Sequence, residues 1–218
     1  GPSTPLLMTA TTYGCCGVPI TITHLTLAGG GAPVNKTVTY ETVSYNAGGA
    51  DKCWIARNLG ASSQASAWND ASESAAGWYY QFNRKQGFKH DGVNRTPNSA
   101  WITMIDDNTN WEAANDPCAI TFGASSGWRL PTITEWESIT NASYSIVADF
   151  SGPLKIHAGG SLRYTDGALE YRGIFGAFWT AYQSNLYTGI LATFDIGSSY
   201  LDGWNKPYGL NVRCIRDF

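Results

Sequence analysis

Charge is in short supply in this sequence. Fourteen Lys and Arg and 17 Asp and Glu are spread over 218 residues, leaving a net charge of −3. The basic residues are scattered, with no run of Lys or Arg. Nucleic acid is recognised by a concentrated positive stripe, so that partner is excluded. Long apolar runs are missing too: none approaches the roughly 20 residues of a membrane-crossing helix. Only three histidines occur, His24, His90 and His157, and they share no short motif. HExxH and the P-loop pattern are absent, so metallohydrolase and nucleotide-hydrolase chemistry has no support, and no nucleophile elbow is expected. Gly1-Pro2 is the kind of pair a specific protease leaves behind, so the lack of a secretory leader carries no weight.

Cysteine is sparse and oddly numbered. Cys15, Cys16, Cys53, Cys118 and Cys214 contain no CxxC pair and no histidine clusters with them. A zinc set is therefore not expected, and no metal site is expected. Spread this widely, they read as disulfide partners in an oxidising compartment, with at least one thiol left over. Buried free thiols in a cytosolic protein are the alternative.

What the chain has in quantity is aromatic and turn residues: nine Trp, twelve Tyr, 24 Gly and nine Pro, with 43% hydrophobic residues overall. That is enough for a sizeable core with many turns and long loops. Val18 to Leu25 alternates like a strand, and Pro19 confines it to an edge. Gly29-Gly30-Gly31 reads as a hinge. The run Val34 to Tyr45 is β-rich, and Asn46-Ala47-Gly48-Gly49 turns it into a second strand around Cys53-Trp54-Ile55-Ala56. Asp70 to Glu73 has capping-box spacing for a short helix ending before Gly77. Gly77 to Phe82 reads as a buried strand, and residues 83–117 as a long structured loop. The clearest helix follows Pro131, where Thr132 and Glu135 form a capping box and Ile133, Trp136, Ile139 and Thr140 share a face. Short strands continue to Phe218. Few helices with many short antiparallel strands and long loops make the class α+β.

Four segments together resemble a known family. They are Cys53-Trp54-Ile55-Ala56-Arg57-Asn58-Leu59, Asn115-Asp116-Pro117-Cys118, Gly127-Trp128-Arg129-Leu130-Pro131-Thr132 with Glu135-Trp136, and Gly209-Leu210-Asn211-Val212-Arg213-Cys214-Ile215-Arg216-Asp217. In this order they are similar to the Fibrobacter succinogenes major paralogous domain family, with Phe178-Trp179-Thr180 at its aromatic-Trp-Ser/Thr signature. The resemblance covers residues 34–218, leaving 1–33 as an N-terminal extension or edge strand. It implies a C-type-lectin-like fold with one or two helices, related in outline to the formylglycine-generating enzyme and to the variable proteins of diversity-generating retroelements. It also implies a Cys118–Cys214 disulfide, with Cys53 pairing to Cys15 or Cys16. Oxidase relatives use two nearby C-terminal cysteines, and Cys214 is the only cysteine after Cys118. The protein is accordingly expected not to be an enzyme and to need no cofactor.

Read from the residues alone, Trp54, Trp128, Trp136 and Trp179 belong to the structural core. Arg129 and Arg213 lie inside apolar segments and need internal carboxylate or carbonyl partners, with Glu135 a candidate. Asp106, Asp107, Asn108 and Asn110 would offer oxygens to Ca²⁺, although a solvated turn fits their spacing better. A glycosidase carboxylate pair assembled from distant positions is the enzymatic alternative, unsupported by any motif.

Residues 180–208 differ in character, mixing Tyr, Trp, Ser, Gly, Asn and Asp as antibody loops do. If Ala192 and Phe194 point inward, strand alternation turns Leu191, Thr193 and Asp195 outward. Tyr182, Ser184, Tyr187, Tyr200, Asp202, Trp204 and Tyr208 then surround them on loops as a ligand-binding face. The family more often carries Asn- and Ser-rich segments here. Adenine-targeted mutagenesis turns Asn codons into a wide mixture, which suits Tyr187, Leu191, Tyr200 and Trp204. The expected partner is a protein or glycan on another cell, a phage or a host surface. The expected setting is secreted or on the bacterial cell surface, as an adhesin-type lipoprotein or pilus-tip component. A purely structural subunit of a surface assembly is the third class.

Overall fold

The computed structural model describes residues 16–26 and 31–218. Cys15 and most of the expected glycine hinge lie outside the described residues. Among these residues the protein is a mixture of small antiparallel sheets and few helices, which is an α+β organisation.

The first strand, β1 (Ile20–His24), pairs antiparallel with β2 (Lys36–Tyr40), and Pro19 stands just before it. Facing threonines bond across the pair, Thr21 to Thr39 at 2.8 Å and Thr23 to Thr37 at 3.1 Å. Next, β3 (Thr42–Ala47) turns back through Gly48 and Gly49 into β4 (Ala50–Ile55). Both glycines hold positive φ, 64° and 86°, which a tight hairpin turn requires. The short helix α1 (Glu73–Ala76) is capped by Ser72 rather than Asp70. Asp70 instead accepts from the Ser66 and Ser72 amides, so its carboxylate shapes the loop before the helix.

The buried strand β5 (Tyr79–Tyr80) forms as expected, but residues 83–117 are more ordered than a loop. They contain β6 (Gly87–His90), β7 (Arg95–Thr96) and the start of α2 (Pro117–Phe122). Asp91 makes the β6–β7 turn by accepting from the Val93 and Asn94 amides. Asp116 caps α2, with Pro117 in the first turn where its missing N–H costs nothing. The helix α3 (Ile133–Ala142) has the full Thr132–Glu135 capping box. A further short helix, α4 (Ile146–Ser151), brings the helices among the described residues to four, where one or two were expected. Three of them run only four to six residues, too short for side-chain periodicity to mark.

The small pair β8 (Ser161–Leu162) and β9 (Leu169–Glu170) leads into a three-stranded sheet of β10 (Gly176–Gln183), β11 (Thr188–Phe194) and β12 (Ser199–Asn205), in that order. The chain closes with β13 (Ile215–Arg216) on the free side of β4.

Two apolar clusters load opposite faces of that sheet. One gathers Trp54, Trp136, Phe178 and Phe194 under α3; the other gathers Trp128, Trp179, Leu191 and Phe82. All four tryptophans assigned to the core are at most 2% exposed. Trp136 donates to the Trp179 carbonyl and Trp179 to the Tyr80 carbonyl. Arg213 is fully buried and meets no carboxylate; Asn58 Oδ1 and the carbonyls of Leu154 and Lys155 receive its guanidinium. Burial drags its pKa down to about 9. Arg129 departs from the core assignment. Its side chain is 31% exposed and grips Glu135 through two bonds of 2.8 Å at the rim.

Cys118–Cys214 is bonded, spanning 96 residues, and Cys53 takes Cys16. In the chain-entropy picture the longer bridge stabilises the fold by about 4–5 kcal/mol. Two disulfides fit an extracellular location. Among the described residues no helix is long and apolar enough to cross a membrane.

Buried histidines make the fold acid-sensitive. Burial, reinforced by Lys36, lowers His24 to about 4, and burial, reinforced by Arg213, lowers His157 to about 3. The unfolded chain then binds protons that the folded one refuses, so stability held above pH 6.5 is lost as pH falls towards those values. Between pH 7.5 and 5 each histidine costs about 2 kcal/mol. Burial raises Asp116 to about 6, so it takes up its proton in the folded state first and returns about 1 kcal/mol. The melting temperature should therefore fall by several degrees between pH 7.5 and 5, as read by differential scanning fluorimetry. A flat profile would refute this.

Candidate functional site

The β11–β12 hairpin builds one wall of an aromatic cleft. Its turn is set by Asp195, whose carboxylate accepts from the Gly197 and Ser198 amides and from the Ser198 hydroxyl. Antiparallel register places Thr193 opposite Tyr200 and Leu191 opposite Asp202. Alternation then puts Tyr200, Asp202 and Trp204 on one face of β12, while Leu201 turns to the α3 side. The opposite wall is the segment Tyr171 to Phe175. Tyr171 and Gly173 both hold positive φ, 58° and 83°. A side chain on Gly173 would meet the Asn69 carbonyl at 3.2 Å, so glycine lets this wall close on the loop that carries Trp68.

The resulting cleft has a volume of about 680 Å³. Its aromatic lining is Trp68, Tyr171, Phe175, Tyr200 and Trp204, with Ile174 and Ile196 at the mouth. Ile196 is 67% exposed, Ile174 62%, Tyr171 53% and Tyr200 48%. A chain of five rings leads out of it: Tyr171 to Phe175 at 5.0 Å, Phe175 to Trp204 at 5.6 Å, then beyond the lining Trp204 to Tyr208 at 4.9 Å and Tyr208 to Tyr164 at 5.1 Å. Asp202 fixes the Trp204 indole by accepting its N–H at 2.9 Å. Burial, and then the Glu170 carboxylate, push the Tyr208 phenol above its usual range. Asp195 is the one carboxylate among the described lining residues, and its oxygens serve the turn.

The sequence-predicted face is only partly assembled here, and Tyr200, Asp202 and Trp204 stand on strand β12 instead of on loops. Thr193, Asp195, Tyr200 and Trp204 line the cleft, and Tyr208 stacks behind Trp204. Thr193 sits low on the wall, its hydroxyl on the Tyr200 carbonyl. Leu191 is a correction: it is fully buried, beyond reach of any ligand. Its face of the sheet is covered by the second core cluster towards β10, so alternation there separates one core from another instead of core from water. Tyr187 opens instead onto a neighbouring recess of about 350 Å³ with Met104 and Tyr164. Tyr182 lies on a third depression beside Trp111 and Arg129, and Ser184 is in the β10–β11 turn.

Sequence reasoning missed the wall opposite the hairpin. Tyr171, Ile174 and Phe175 surround Gly173 in a run with no strand or helix period, and that pattern of exposed apolar residues about a glycine was the available signal. Trp68, in a Ser-rich loop, gave none. Three of the four residues considered for Ca²⁺ have protein partners. The Asp107 carboxylate pairs with Arg84 and its main-chain carbonyl accepts from Lys206, while Asn108 and Asn110 accept from Gln183. Among the described residues no group of three or more His, Cys, Asp or Glu is placed to hold a metal. Compared with known protein families, with curated proteins and with solved structures, the chain finds no match.

Proposed function

We propose that this chain is an extracytoplasmic, adhesin-type ligand-binding module of a bacterial surface or secreted protein, and that the aromatic cleft is its binding face. The observation that carries this reading is the cleft itself. Folding leaves Tyr171, Ile174, Ile196 and Tyr200 uncovered around one concavity. Soluble domains bury such residues unless a partner covers them. Tyr and Trp supply large contact area at low entropic cost, as interface hot spots require. The C-type-lectin-like arrangement and the kinship with retroelement-diversified proteins, implied by the sequence motifs, agree with a face built on the last hairpin and free to vary.

The carbohydrate-processing alternative needs two carboxylates about 5–10 Å apart across a cleft. Asp195 is committed to its turn, which favours binding over turnover.

The test places the protein on arrays of bacterial and host surface glycans and proteins, alongside an Ile196→Asp variant. Ile196 is at the mouth and exposed, so a carboxylate there spoils an apolar contact without unsettling the core. Saturable binding by the parent, weakened at least tenfold in the variant at an unchanged melting temperature, is expected. Equal binding by both overturns the assignment of the face. Turnover of a glycoside that Asp195→Asn abolishes overturns the non-enzymatic reading.

A further inference from the structure

The cleft has a second asset, the outer edge of β12. Among the described residues β12 pairs with β11 alone and no strand covers its other side. The hydrogen-bonding parity of the hairpin follows from its two ends. The Asp195 amide donates to the Ser198 carbonyl, and the Lys206 amide to the Tyr187 carbonyl. Antiparallel alternation then points the backbone groups of Tyr200, Asp202 and Trp204 towards β11 and those of Leu201 and Gly203 outward. Exposed edges are normally blunted by lysine, proline or inward charge. This strand holds one charge, Asp202, occupied by the Trp204 indole, and no lysine or proline. Gly203 is exposed and has no side chain to hold a neighbour off.

We infer that the partner is a protein presenting an extended, uncharged, apolar segment that adds as a strand to the outer edge of β12 and inserts alternate side chains into the aromatic cleft. This rests on the cleft being the binding face. Three features choose a peptide over a sugar chain. The rings are tilted against one another, by 84° between Phe175 and Trp204 and by 50° between Trp204 and Tyr208, so they form sockets instead of a flat stacking platform. The mouth is aliphatic, with Ile174 and Ile196, and offers little to sugar hydroxyls. Side chains on the cleft face of an added strand would also lie beside Tyr200 and Trp204, because strand neighbours share a face. At about 3.3 Å per residue those two positions span about 13 Å. The recess of Tyr187, Met104 and Asn205 continues the apolar surface at the end of β12. Main-chain bonds along the edge would give affinity and the sockets would give selectivity.

The test selects a phage-displayed random dodecapeptide library on the intact protein and titrates synthetic copies of the enriched peptides by fluorescence anisotropy. Expected are peptides with apolar residues at every second position. Backbone N-methylation at one alternating set should weaken binding at least tenfold, with the other set neutral. Gly203→Pro should cost at least tenfold, because it removes an outward N–H and obstructs the edge, while Tyr200→Ala should cost as much through the socket. The melting temperature of each variant reports folding. Should Gly203→Pro unfold the chain, the N-methyl scan on the parent protein decides alone. Enriched peptides indifferent to N-methylation at every position overturn edge pairing, as does the absence of any alternating apolar consensus. Binding of a neutral oligosaccharide instead, lost in Tyr200→Ala, overturns the peptide inference and leaves the binding face standing. Ligand binding from the array screen that is indifferent to both Tyr200→Ala and Ile196→Asp overturns the face itself and this inference with it.

Discussion

Alanine at Tyr200 is expected to weaken ligand binding at least tenfold while moving the melting temperature by about 2 °C at most. Tyr200 is half exposed on the cleft face of an edge strand, so its side chain contributes little to stability, typically within about 0.5 kcal/mol. A hot-spot aromatic truncated at an interface commonly costs about 2 kcal/mol, more than the 1.4 kcal/mol that makes a factor of ten. Trp204→Ala should lose binding to a similar degree but also lower the melting temperature by about 5 °C, since its ring touches Phe175 and Tyr208 and each aromatic contact is worth about 1 kcal/mol. Thermal melts and titrations on the same preparations separate the two effects. If Tyr200→Ala destabilises as much as Trp204→Ala, Tyr200 is packed and the cleft is shallower than described.

Arg213→Ala is expected to prevent folding, or to lower the melting temperature by more than 10 °C. The guanidinium is wholly enclosed and supplies donors to Asn58 Oδ1 and to the carbonyls of Leu154 and Lys155. Its removal leaves a cavity lined by acceptors with no partner, and each buried orphan costs about 1–3 kcal/mol. Lysine should rescue poorly, because a single ammonium cannot reproduce the planar fork of donors. Circular dichroism and a melt on the three proteins check this, and a folded Arg213→Ala within about 1 kcal/mol of the parent would refute it.

Much of the frame was readable in the chain because local chemistry and tertiary need agree there. Thr132 and Glu135 cap α3 by their own side chains, and Gly48-Gly49 must turn a hairpin whatever packs on it. The disulfide Cys118–Cys214 was implied by motif resemblance, not by spacing, since five cysteines allow many pairings. Asp116 caps α2 ahead of a proline in its first turn, but the polar run before it read as loop and masked the helix. β11 keeps the expected phase, with Ala192 and Phe194 under α3 and Thr193 on the cleft side, but the strand is covered on both faces and alternation alone does not show that Leu191 is buried. The cleft was half legible. The residues of β12 were named but read as loop, and its opposing wall owes its place to Gly173 sliding past residues 69–71, a contact between segments about 100 residues apart that no local pattern encodes.

The long disulfide has a bearing on survival in a protease-rich setting. Both rims of the cleft, Tyr171 to Phe175 and the Asp195–Ser198 turn, are the exposed loops where proteases nick first. Both also lie inside the ring that Cys118–Cys214 closes. A single cut at either place opens the ring without releasing a fragment. The severed halves remain covalently joined, and the core clusters on both sides of β10 and β11 hold them in register, so a clipped molecule keeps both walls of its cleft.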